Sequence, residues 1–189
     1  GPMVNSKYSE YYPGLTADNE TLLFTRRLPM ATSQGRAAEQ EDFYVSTKSD
    51  SGTWMEAHSI GKQINTAHNE GAPTITANGK LLIFVACEMY NDGFYGNNRK
   101  GLGSCDLFFS ENIGGSWTPV QNIGRNINTQ HWETQPSISA DGRELYFVRG
   151  YKSGRHYTGM DIYVSHRQDN GTFGPPTKLP GLINTAQNE

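Results

Sequence analysis

The chain has 189 residues, 35% hydrophobic, 11% aromatic and 19% charged, with 21 Gly, 9 Pro and a formal charge of −3. That length admits one domain of ordinary size, and the dispersed Lys and Arg argue against a nucleic-acid partner. The longest apolar run, Leu81 to Cys87, is too short for a direct membrane span, and the aromatic content opposes disorder despite a mean hydropathy of −0.65.

Gly1-Pro2-Met3 reads as an expression scar left by protease cleavage, and residues 4–189 carry the fold. A pattern then recurs along the chain. Val4-Asn5-Ser6-Lys7-Tyr8-Ser9-Glu10 precedes Pro13, Ile64-Asn65-Thr66-Ala67-His68-Asn69-Glu70 precedes Pro73, and Ile127-Asn128-Thr129-Gln130-His131-Trp132-Glu133 precedes Pro136. A fourth copy, Ile183 to Glu189, is cut off before its Pro, which reads as an excision from a longer protein. The copies start 60, 63 and 56 residues apart, which is the mark of a repeat architecture.

Each unit predicts the same elements in the same order. A short alternating run ends in a turn at Asp18-Asn19, Asn78-Gly79 or Asp141-Gly142, residues that accept positive φ cheaply. Apolar strands follow at Leu22–Phe24, Leu82–Phe84 and Leu145–Phe147, then variable loops at 28–41, 88–105 and 151–160. Third strands open at Asp42, Asp106 and Asp161, and a Gly turn leads through Trp54, Trp117 or Phe173 to a last strand near Ile60, Ile123 or Leu179. No segment carries a convincing 3.6-residue apolar period. Four short antiparallel strands per unit predict an all-β β-propeller segment with three blades, at about 11–63, 72–126 and 135–182, with linker copies at 4–10, 64–70, 127–133 and 183–189. A linear solenoid is the alternative.

The run Pro136-x-Ile138-Ser139-Ala140-Asp141-Gly142-Arg143-Glu144-Leu145-Tyr146-Phe147, followed by Asp161-Ile162-Tyr163-Val164-Ser165, resembles the TolB-type, WD40-like propeller repeat. With Ile-Asn-Thr-x-x-x-Glu before the Pro, it is similar to propellers of Bacteroidetes cell-envelope proteins of the OmpA family, including the PorE-like component of the type IX secretion system. The resemblance implies a periplasmic, outer-membrane-associated scaffold with no cofactor, no metal and no catalytic residue, whose partner is an envelope protein or peptide. Such rings close with about four to eight blades. Three blades therefore leave open self-association of two chains into a six-bladed ring, irregular packing, or native neighbours that were removed.

Cys87 and Cys105 lie at the facing ends of the second and third strands of the middle unit. A disulfide there suits an oxidising periplasm and would contribute about 3 kcal/mol at most; two buried thiols are the alternative.

The repeated acids Glu10, Glu70, Glu133 and Glu189, with His68 and His131 two residues before theirs, fit either a carboxylate ring around a funnel or hydrogen-bonded ties between blades. Repetition in every blade favours the ties. Asp42, Asp106 and Asp161 read as structural for the same reason. Ser110-x-Asn112-x-Gly114-x-Ser116-Trp117 approximates the Asp-box turn of sialidases, with Asn in place of Asp. The variable loops carry the candidates for partner binding: Tyr90, Phe94, Tyr95 and Arg99 in the second, and Arg155, His156 and Tyr157 in the third. Loops that differ over a repeated frame are where specificity resides. No phosphate-binding loop, zinc-protease motif or paired CxxC occurs. The sequence thus points to a non-enzymatic protein-interaction scaffold, with a glycan-binding or sialidase-like propeller as the alternative. That alternative would need several arginines and a Tyr–Glu pair in one cleft.

Overall fold

The computed structural model describes residues 1–31, 37–87, 95–97, 99–153 and 156–188. Among them the fold is all-β, and no helix is long and apolar enough to cross a membrane. The first unit is a sheet of β1 (Ser9–Leu15), β2 (Thr21–Ala31), β3 (Ala37–Thr47) and β4 (His58–Ser59), paired in that order. The second comprises β5 (Glu70–Ile75), β6 (Leu81–Cys87) and β7 (Cys105–Ile113), with the short β8 (Ser116–Trp117) and β9 (Gln121–Asn122) both paired to β7. The third runs β10 (Trp132–Ile138), β11 (Glu144–Ser153), β12 (His156–His166) and β13 (Thr177–Lys178). Pairing within each unit is antiparallel, and one parallel pair, Trp132 with Cys105, joins the second unit to the third.

The expected loops at 28–41 and 151–160 are corrected by the pairing. Strands β2 and β3 stay in register out to Ala31 and Ala37, and β11 and β12 continue to Ser153 and His156 beyond a register shift. Continued ladder pairing makes these segments long hairpins, paired well beyond what the composition suggested.

Each first strand contains the same break. Tyr12, Ala72 and Gln135 adopt φ of 52°, 46° and 49°, each just before Pro13, Pro73 or Pro136, and the strand register shifts there. Such a bulge twists the strand and interrupts its free edge.

Apolar packing joins the units. Leu23 and Phe43 of the first unit meet Leu82, Phe84 and Phe108 of the second, and Ile64 of the linker is wholly buried in that seam. Leu81, Ile83 and Leu107 meet Leu145, Phe147 and Tyr163 of the third around Ile127. A single four-stranded sheet leaves both faces wet; burial against the next unit supplies the hydrophobic stabilisation. The first strands of the units lie side by side, β1 against β5 and β5 against β10.

Candidate functional site

The repeated linker residues assemble into a buried lock at the start of each first strand. In the third unit, Glu133 accepts hydrogen bonds from the Thr129 amide (3.0 Å) and hydroxyl (2.6 Å). Arg149, directly across the β10–β11 ladder, donates to the same carboxylate at 2.8 Å and to the Ile127 carbonyl at 2.7 Å. The first unit repeats this with Ser6, Glu10 and Arg26, whose guanidinium donates to Glu10 at 2.9 Å and to the Val4 carbonyl at 2.8 Å. The linker Asn completes the device by pairing as a strand would. Asn65 and Asn128 each exchange two hydrogen bonds with the backbone of Phe43 or Leu107 in the preceding unit. These groups satisfy buried polar backbone at the unit junctions.

The second unit has no arginine at this point of its second strand: Ala86 lies opposite Glu70. Arg99, from the connection between β6 and β7, takes the place instead. It donates to Glu70 at 3.0 Å and also to the Ile64 carbonyl. Its guanidinium lies 5.6 Å over the Phe84 ring, as Arg26 lies 5.5 Å over Phe24 and Arg149 5.5 Å over Phe147. Burial pushes the Glu70 carboxyl up to about 7, opposed by the Thr66 hydrogen bonds and the Arg99 charge.

Arg99 and Tyr95 are therefore corrected as partner-binding candidates. Arg99 is 5% and Tyr95 1% exposed; the tyrosine packs on Phe108 and donates its hydroxyl to the Gly103 carbonyl. The segment around them is pressed onto the framework, since a methyl added at Gly101 would overlap the Tyr95 ring and one at Gly103 the His131 carbonyl. Among the remaining candidates, Tyr90, Phe94 and Arg155 lie outside the described residues, as does Glu189. The backbones of His156 and Tyr157 pair with Ser153 and Lys152. His68 and His131 each direct an amide at the linker Thr hydroxyl, and the His131 ring packs on Tyr151. Asp42, Asp106 and Asp161 are engaged locally: by Gln40, by the Leu102 and Gly103 amides, and by Lys178. Glu10, Glu70 and Glu133 open the first strands rather than lying wholly in the linkers. Among the described residues, no group of three or more His, Cys, Asp or Glu is placed to hold a metal.

One step beyond the lock, the three units diverge. Ser9, Arg27 and Glu41 stand in register across the first unit. The second unit has Cys87 directly opposite Cys105, and the two are joined by a disulfide. In the third, Trp132 faces Gly150, with Met160 alongside. Against this divergent row opens a cleft of about 540 Å³, reached by residues of β1, β2, β3, β5, β6 and β10. At its rim the Tyr11 hydroxyl donates to Glu41 at 2.6 Å and accepts from Arg27 at 3.3 Å, while Arg27 lies 3.4 Å from both Glu41 and Glu39. Burial and the Glu41 bond push the Tyr11 hydroxyl up to about 12, so it stays protonated and remains a donor. Asn69 accepts the Glu41 amide at 3.0 Å.

Sequence reasoning anticipated the acids of the lock as ties between units but missed their arginine partners, and it overlooked the second cluster altogether. A Phe-x-Arg pattern at Phe24–Arg26 and Phe147–Arg149, broken at Ala86, was the available sign of the first. The second had none, because Tyr11, Arg27 and Glu41 belong to the first unit alone. Neither a family model nor a curated protein matches the chain.

Proposed function

We propose that the chain is a three-bladed arc of a TolB-type, WD40-like propeller that serves as a non-enzymatic protein-interaction scaffold of a Gram-negative cell envelope, periplasmic and outer-membrane-associated. Its nearest functional analogues would be the OmpA-family proteins linked to type IX secretion. The observation that carries this reading is the contrast between adjacent rows of the same strands. One row is spent on an acid-guanidinium lock in every unit, and the next differs in each, as an ion pair, a disulfide and a Trp on glycine. A repeated frame with a varied rim is the arrangement of a recognition surface. Radial rather than linear stacking is supported by the cleft, which touches the first strands of all three units at once.

Two arcs meeting head to tail would close a six-bladed ring. Ile64 and Ile127 are fully buried in seams, whereas Ile183, their counterpart in the fourth linker, is 48% exposed. Light scattering would give a dimer mass that falls to the monomer in Ile183→Glu; a monomer throughout removes the ring. For the scaffold itself, affinity capture from an envelope extract is compared with the double variant Tyr90→Ala, Phe94→Ala, leaving the buried Tyr95 intact. Loss of a captured envelope protein is expected, and unaltered capture overturns the reading. Glycan hydrolysis stands second: the cleft offers a Tyr–Glu pair but one arginine, Arg27, among its lining residues.

A further inference from the structure

We infer that the cleft beside Tyr11, Tyr12, Arg27, Glu41 and Asn69 is a binding site for a neutral saccharide. Its volume of about 540 Å³ lies in the roughly 300–1,000 Å³ range of small-molecule sites. Its lining combines apolar Ala72 and Val85 with polar and aromatic side chains. Tyr12, held at φ 52° and 48% exposed, presents a ring set edge-on to Tyr11 at 5.3 Å. An aromatic with one open face gives a platform for the C–H face of a pyranose.

The polar groups suit hydroxyls, each of which both donates and accepts. The Glu41 side chain is 27% exposed and the Arg27 side chain 42% exposed, so both are open to a ligand. Mutual hydrogen bonds among Tyr11, Arg27 and Glu41 hold these groups in place before any ligand arrives, which lowers the ordering cost of binding.

Charge and backbone argue against the competing ligands. Arg27 is already flanked by Glu41 and Glu39, so an anion would meet two carboxylates for one cation. An extended peptide would need a regular strand edge. On β1 and β5 that edge is interrupted by the bulges at Tyr12 and Ala72 and by Pro13 and Pro73, which have no N–H to offer.

The test is a titration of the intact chain with N,N′-diacetylchitobiose, cellobiose and the anionic trisaccharide sialyllactose, read by calorimetry and by saturation-transfer NMR. At least one neutral disaccharide binds, with transfer concentrated on its ring C–H protons. Tyr12→Asn, which suits the positive φ, and Glu41→Gln each weaken binding by about tenfold or more, the loss expected for one stacking or hydrogen-bonding contact. Arg143→Gln, which does not line the cleft, leaves it unchanged, and circular dichroism melts confirm that each variant is folded. Absence of binding by both neutral sugars at millimolar concentration overturns the assignment. So does tighter binding of sialyllactose, or undiminished binding by Tyr12→Asn.

Discussion

The second and third units set the same lock with different parts of the chain. In the third, Glu133 and Arg149 face each other across neighbouring strands, and the local ladder delivers the pair. In the second, Glu70 is matched by Arg99, 29 residues away in the inter-strand connection, because Ala86 occupies the strand position. The disulfide at the base of that connection and the glycines pressed against the linker hold the donor in place. A repeat therefore demands a guanidinium at a point in space, not an arginine at a point in sequence. In the unit without a strand-borne donor, Tyr95 and Arg99 of the connection serve the framework.

The comparison breaks most sharply at Arg99. Arg99→Met strands Glu70, whose side chain is fully buried, and should destabilise the fold by about 3–5 kcal/mol in urea unfolding. Adding Ala86→Arg to that variant restores a donor in the place Arg149 uses and should recover a large part of the loss. The same Ala86→Arg in the parent chain, with two guanidinium groups for one carboxylate, should be destabilising. Failure of the double variant to recover any stability would mean that the two solutions are not equivalent.

Replacing Cys87 and Cys105 with Ser should cost about 3 kcal/mol, the loop-entropy value for an 18-residue separation. Combined with Arg99→Met, the loss should fall short of the sum, because both act on one connection. Strict additivity would show that the disulfide does not position Arg99.

A smaller effect separates the two strand-borne locks. Glu133 is fully buried and Glu10 is 15% exposed. Glu133→Gln should cost about 2 kcal/mol and Glu10→Gln about 1 kcal/mol, measured as the shift in urea midpoint at constant slope.

A separate effect is in pH. Glu70 titrates near 7 in the folded chain and about 4.3 when unfolded. Between those values the unfolded chain has released the proton that the folded one still holds, so stability falls as pH rises from about 4.5 to about 7 and is level above. A carboxyl carbon resonance from Glu70 with a midpoint near 4 would remove this pH dependence. In Arg99→Met the decline should extend to higher pH at an unchanged slope, since the carboxyl has lost its cation and one group releases only one proton.

Much of the architecture was legible before any coordinates. The period of about sixty residues, the turns at Asn78-Gly79 and Asp141-Gly142, and the meeting of Cys87 with Cys105 follow from local rules: alternation, tolerance of positive φ and antiparallel adjacency. The site was legible only in part. Tyr95 and Arg99 looked like exposed recognition residues because aromatics and arginines in a Gly-rich loop have that composition. Composition cannot reveal that the loop folds back over the linker. The long hairpins were hidden for a related reason: their strand ends, such as Pro29 to Ala31, lack the apolar alternation of the strand centres.

By itself the sequence determined what is periodic and short-range: three antiparallel units, their order, their turns and the acid that heads each first strand. Tertiary structure decided which guanidinium reaches each acid, which loop residues are buried, and that Tyr11, Arg27, Glu41 and Asn69 line one cleft. The physical reason is range. Strand and turn preferences act within a few residues, whereas a buried carboxylate accepts any cation that packing brings within about 3 Å, wherever in the chain that cation began.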